Sequence, residues 1–455
     1  MTRGNVGVGL ICLVIGLCAT HGNASATGIA IGYGAAGTTP AVSITSKGAA
    51  AIVWGQSRGL GRPYGKLVAR SIYPAGKLGD LQRITPVGHT AYAATEPLMF
   101  AGSSGHLVVA WHKLFGPGQG LYLRTRDPSG RLGPVTRIGR GVGNLDAAID
   151  ASGQATLVWD VEGRAPGIYL ARLNSTGILS APVRLDHGYS GEFPHVAIDA
   201  AGDAVAMWTG YLTEQDDNSR PRLYARKVVT SDGALGETLE LARASNGHIA
   251  IGRQGQAVFL WTTRDERWNQ DDPEGRIQVR FLTSRGDLTP ILSLTGYRDL
   301  IRIEPRVTLL DDGTAVAVWA SATSGRAVEA RTFTPMSIGP MRSLAGRRDR
   351  LSGVLDLASA GSRAVAVWTF GPEPRDRGGA LRGPTGIRAR TIGRTGVGAL
   401  HTPLIASRPK TSWLNAGSVA ANDRGVWAVA IKRGPTRLGG RPQIVLDIRG
   451  RMTKQ

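Results

Sequence analysis

Asp311-Asp312-Gly313-Thr314-Ala315-Val316-Ala317-Val318-Trp319 is a turn, a run of small apolar residues and a tryptophan, and it recurs eight times along the 455-residue chain. Six copies run from a glycine to a tryptophan six residues on: Gly48 to Trp54, Gly105 to Trp111, Gly153 to Trp159, Gly202 to Trp208, Gly255 to Trp261 and Gly313 to Trp319. Ser362 to Trp368 makes a seventh, and Gly425 to Ile431 an eighth that has lost its tryptophan. Successive anchors lie 48 to 63 residues apart. A self-similar period of that size reads as a stacked array or a propeller, because one unit cannot bury its own apolar face.

Working outward, each unit adds a short apolar segment ending in Arg, as in Tyr122 to Arg124, Tyr169 to Arg172, Tyr224 to Arg226, Ile277 to Arg280 and Val328 to Arg331. A glycine turn follows, then a weaker segment such as Gly130 to Ile138 or Gly177 to Leu185. Ahead of the anchor stands another short run (Ala41 to Ile44, His195 to Ile198, Arg306 to Leu309), headed in four units by Pro40, Pro97, Pro194 or Pro305. Proline suits the first residue of a strand, where no ladder donor is lost. These segments are rich in Val, Ile, Ala, Tyr and Trp and are bounded by Gly, Asp, Ser and Pro, and no helical period competes. The pattern predicts an all-β chain: a β-propeller of eight, alternatively seven, four-stranded antiparallel blades. The Trp strand is apolar on both faces, so it should lie between neighbouring blades. Eleven residues separate Trp319 from Arg331. A hairpin centred near Gly325 would make the two cross-strand neighbours within cation–π reach.

Residues 1–26 read as a secretory signal peptide: Arg3, the apolar stretch Val6 to Ala19, and Ala24-Ser25-Ala26 as a cleavage site. Cleavage after Ala26 leaves residues 27–455 as one propeller domain, secreted and extracellular. Cys12 and Cys18 both fall in the leader, so the exported chain has no cysteine chemistry. The eighth unit stops short of a fourth strand, and the run Gly28 to Tyr33 is expected to complete that blade. No apolar run of about 18 residues follows the leader, so no transmembrane span is expected.

The formal net charge is +20, which attracts anionic polymers or surfaces. An exported protein seldom meets nucleic acid, and no basic run with interleaved aromatics occurs. The expected partners are therefore an extracellular glycan, an anionic wall polymer or a protein, and a monomer is expected.

Two motifs fail on context. Gly32-Tyr33-Gly34-Ala35-Ala36-Gly37 matches a dinucleotide fingerprint and Gly55-Gln56-Ser57-Arg58-Gly59 a nucleophile elbow, but neither leads into a helix. His187, Tyr189, Glu192 and His195 share one connection without metal-ligand spacing. No catalytic residue or metal ligand is assigned. Connections after the Trp vary from eleven residues in unit six to about twenty-one in unit seven, and variable loops on one face carry function more often than uniform turns. The candidate binding residues on these loops are Tyr211 and Asp217 in unit four, Arg267, Trp268, Asp271 and Asp272 in unit five, and Arg375 and Arg377 in unit seven. An exposed Trp268 beside Arg267 suits sugar stacking. No cofactor is required, although the acidic groups between Asp265 and Glu274 offer hard oxygens of the kind calcium takes.

The repeat Gly-x-Ala-x-Ala-Val-Trp, with its Ala-Arg strand and Gly-x-Leu-Gly turn, resembles uncharacterised secreted bacterial β-propeller repeat proteins, loosely of the sialidase type. The sialidase Asp-box, Ser-x-Asp-x-Gly-x-x-Trp, is absent: Asp150 and Asp199 lie nine residues before their Trp. With the box absent and no arginine triad assignable, the expected function is a non-enzymatic binding scaffold that uses the long-loop face. The alternative is a glycan-cleaving hydrolase of sialidase-like propeller type, with Glu96, Glu192 and Glu304, just before the first strands of units two, four and six, as candidate acids at the channel mouth.

Overall fold

The computed structural model describes residues 29–34, 40–57, 64–73, 76–87, 91–92, 98–113, 117–163, 165–186, 190–211, 221–229, 233–264, 275–296, 301–321, 327–345, 351–371, 386–405, 412–435 and 443–449. The leader expected over residues 1–26 lies outside them, as do Glu96, His187 and Tyr189. The strands form eight antiparallel sheets, the blades of a β-propeller. Blade 3 is typical, with Val142–Ile149, Ala155–Val161, Gly167–Leu173 and Val183–Arg184 in order from the axis outward. First strands of successive blades touch one another around the axis, and Ala41–Ile44 of blade 1 meets Ser412–Ala421 of blade 8, which closes the ring.

Each first turn carries a left-handed glycine. Gly48, Gly105, Gly153, Gly202, Gly255, Gly313 and Gly425 have φ between 74° and 92°, a region that costs a residue with a Cβ. Blade 7 differs: Ala360 pairs with Arg363, so the turn is a residue tighter and Gly361 (φ 68°), not Ser362, takes the left-handed position.

The second strand is the core of each blade. All seven residues of Ala315–Ser321 are buried, and Trp54, Trp261, Trp319 and Trp368 are fully enclosed. Among the described residues the fourth strands are shortest in blades 1, 3, 5 and 6, where Gln82–Arg83, Val183–Arg184, Leu292–Ser293 and Ser337–Ile338 span two residues each. Short edges discourage pairing with other chains. The eighth sheet takes its outermost strand from the N-terminal end, where Ile29–Tyr33 pairs antiparallel with Gln443–Arg449.

Two expectations about local geometry are corrected. Pro194 and Pro305 do not open strands: they lie inside Ser190–Ile198 and Ile301–Leu309, where the register shifts between Glu192 and His195 and between Ile303 and Arg306. A bulge leaves a residue unpaired, so proline loses no bond there. Likewise, Trp319 and Arg331 are not partners. Trp319 pairs with Glu329, whose Oε2 accepts the indole N–H at 3.0 Å, and Arg331 faces Ala317.

The equivalent arginines act as clamps instead. Arg226 Nε donates to Gly236 O of its own outer strand at 2.7 Å, while Nη1 donates to Leu185 O of the preceding blade at 3.0 Å. Arg124, Arg280 and Arg390 repeat this with Gly133 and Ile84, Thr289 and Leu241, and Gly398 and Leu344. Arg70 does the same at the ring closure, to Gly79 O and to Ile31 O of the N-terminal strand. One planar guanidinium thus ties two blades through carbonyls that an edge strand leaves free.

Candidate functional site

Loops that follow the Trp strands emerge opposite the glycine turns, and two features lie at that end of the seam between blades 3 and 4. In blade 3 the Trp strand ends Trp159-Asp160-Val161, with Glu162 next. Asp160 is only 3 % exposed, and its two oxygens accept the backbone N–H of Asn144 at 2.6 Å and that residue's side-chain amide at 2.7 Å. Gly143 makes room for it, since a Cβ there would stand 2.5 Å from the carboxylate. From blade 4, the Tyr211 hydroxyl donates to the Glu192 carboxylate.

Backbone strain helps to aim Glu192. The next residue, Phe193, has φ 51°, a conformation bulky side chains avoid and that persists where surrounding structure enforces it. It sits in the bulge that separates Glu192 from His195. Burial pushes the Glu192 carboxyl upward, and the charges of Asp160 and Glu162 push it further, against the opposing hydrogen bond from Tyr211. Burial also raises the Tyr211 phenol, with the Glu192 charge adding to it. The result is an aromatic hydroxyl, a protonatable carboxyl and two further carboxylates in a chain of net charge +20.

Of the residues singled out in the sequence, Tyr211 and Glu192 are brought together. His195 belongs elsewhere: its Nδ1 lies 3.4 Å from Asp146. Glu304 falls in the strand Ile301–Leu309. Asp217, Arg267, Trp268, Asp271, Asp272, Arg375 and Arg377 lie outside the described residues, as does the acidic stretch Asp265 to Glu274. The sequence reading passed over Asp160 and Glu162. A signal was available, since the position after the anchor is Gly55, His112, Thr209, Thr262, Ala320, Thr369 and Lys432 in the other units and acidic in blade 3 alone.

At the glycine-turn end the axis is narrowed by charge. Arg253 of blade 5 hydrogen-bonds Asp423 of blade 8 and lies 3.3 Å from Asp311 of blade 6. A cavity of about 400 Å³ lies beside it, walled by Ser43, Ser46, Ser103, Ser359, Ser418 and neighbouring small residues. No helix among the described residues is long and apolar enough to cross a membrane.

No protein-family model matches the chain, and no curated protein matches it. Among solved structures, a lectin from Burkholderia pseudomallei superposes with a TM-score of 0.53 at 10 % identity, over 83 % of this chain and 100 % of the lectin. Puromycin hydrolase gives 0.49 at 15 % identity over 76 % of this chain and 51 % of its own, so the chain spans about half the length of that enzyme. An α-L-arabinanase from Penicillium chrysogenum gives 0.38 at 11 % identity, over 68 % and 94 %. At these identities the likeness is one of fold, and function must be argued from the site.

Proposed function

We propose that the chain is an exported, non-enzymatic scaffold that binds a carbohydrate or carbohydrate-containing wall polymer on its loop face. The observation that carries this reading is the Tyr211–Glu192 pair set against Asp160 and Glu162. Carboxylates accept from sugar hydroxyls, a phenol can both donate and accept, and its ring offers a flat apolar face. The lectin named above lends the reading plausibility at the level of fold only. Export follows the leader over residues 1–26, and binding requires no cofactor, with calcium at Asp265 to Glu274 an optional addition.

The test is binding of residues 27–455 to a panel of neutral and anionic glycans and wall polymers across a salt titration. Salt-resistant binding to one glycan, weakened about tenfold or more in Tyr211→Phe and Glu192→Gln, supports the reading. Salt-sensitive binding to every anionic polymer, unchanged in both variants, assigns the interaction to net charge and overturns it. Trp268→Ala in the same assay asks whether the blade 5 loop shares the site.

A second reading rests on the raised Glu192 carboxyl, which is the setting of a general acid. On that reading the loop face cleaves a glycosidic bond, and release of reducing ends from a bound glycan would be abolished in Glu192→Gln while binding persists.

A further inference from the structure

In each blade the same position of the innermost strand falls opposite the residue before the anchor Trp or, in blade 8, its Ile. Register identifies it as Ala41, Leu98, Asp146, His195, His248, Arg306 and Asp356 in blades 1 to 7. In blade 8 it is Ser418, at the bulge before Val419. Three of these side chains perform one structural job: they accept the backbone N–H one residue past the ring position in the next blade. Asp146 takes it from Val196, Asp356 from Val419 and Ser418 from Val42, each within 2.9 Å. Both aspartates also accept the N–H of the residue that follows them, at 2.9 Å.

Blades 4 and 5 break this pattern. The two ring residues are histidines whose imidazoles meet across the seam at 5.9 Å, tilted by 44°. His248 Nδ1 is sealed from solvent and has no hydrogen-bond partner, although the residue as a whole keeps some accessible surface along the axis. Charges reach the pair from both sides: Asp146 of blade 3 lies against His195, and Arg306 of blade 6 stands beside His248. A proton on His195 would therefore face a carboxylate, whereas a proton on His248 would face a guanidinium and the other imidazole.

We propose that the His195–His248 contact is an acid-sensitive joint, in which protonation of His248 drives the innermost strands of blades 4 and 5 apart while the rest of the ring holds. The direction agrees with the local electrostatics: burial, then Arg306, then His195 hold the His248 imidazole well below the ordinary histidine range. Because the unfolded or opened strand binds that proton more readily than the closed seam, stability present above the ordinary histidine range is lost as pH falls below it. The asymmetry makes the loss local. Blades 1 and 2 place Ala41 and Leu98 at the ring and have nothing to titrate there.

Amide hydrogen exchange of the folded chain, read by mass spectrometry at about pH 7.5 and about pH 4.5 and corrected for intrinsic rates, tests this. The expected result is a loss of protection of about tenfold or more at low pH in peptides covering 190–198 and 245–251, with peptides covering 41–44 and 98–101 unchanged. His248→Gln, which keeps a polar side chain but cannot titrate, should abolish the loss, and His248→Asn should do so if the first variant fails to fold. Uniform loss in all four segments, no loss, or loss that persists in the folded variant would overturn the joint.

Discussion

The third strands and the first strands of the same blades have diverged to very different degrees. On the third strand one arginine makes the same two bonds in blades 1, 2, 4, 5 and 7. On the first strand the ring position is Ala, Leu, Asp, His, His, Arg, Asp and Ser in turn. What joins these five blades to the one before is a repeated solution, since each of those seams presents equivalent carbonyls. The residues near the axis face a different neighbour at each step, and there the repeat has been replaced by particular chemistry. A substitution in the repeated layer should therefore act on stability at any pH, and one near the axis on how stability or binding responds to conditions.

The repeated layer gives the largest expected effect. Trp319 is fully enclosed, with its indole N–H bonded to Glu329. Trp319→Ala should lower unfolding free energy by roughly 3–5 kcal/mol through the cavity it leaves, visible as a large fall in Tm at every pH tried. A melt unchanged from wild type would mean that the Trp strands do not carry the core.

Arg226→Met comes next. It keeps most of the apolar stem but leaves Gly236 O and Leu185 O without their donor. Loss of a charged hydrogen-bond donor to two backbone carbonyls should cost about 1–3 kcal/mol. Denaturant midpoints measured at low and high salt sharpen the comparison, because a hydrogen-bonded clamp should lose the same amount in both, whereas a long-range charge effect would shrink with salt.

Much of the fold was legible because the blade-to-blade period and the Gly to Trp spacing follow from packing that every unit shares. The Trp319–Arg331 pairing was misread because the hairpin centre lies one residue earlier than Gly325: Ser321 pairs with Ala327. Such an offset keeps the same face but moves every cross-strand partner by two, replacing Arg331 with Glu329. Tyr211 and Glu192 could each be picked out as polar residues near a loop, but their contact depends on the Phe193 bulge, which no composition or spacing announces. The axial ring was hidden for the same reason. A register shift precedes His195, Arg306 and Asp356 but none interrupts the strands of Ala41 and Leu98, so the ring position is the sixth residue of its strand in the former and the first in the latter.

Asp356 allows the finest test, because Asp146 holds the same ring position with the same pair of backbone bonds. Around Asp356 burial pushes the carboxyl upward, partly opposed by the N–H groups of Val419 and Leu357 and by Arg306. A carboxyl raised in the folded state binds its proton more tightly there than in the unfolded chain. Its contribution is therefore greatest at and below the ordinary aspartate range and declines as pH rises through the raised value. Asp356→Asn has no proton to lose. It should lower stability at neutral pH, because its amide can satisfy only one of the two donors, but the gap between wild type and variant should be wider at acid pH than at neutral pH. Denaturant midpoints of the two proteins across that interval read the difference directly, and a gap that narrows toward acid would show that backbone N–H groups and Arg306, not burial, govern this carboxyl.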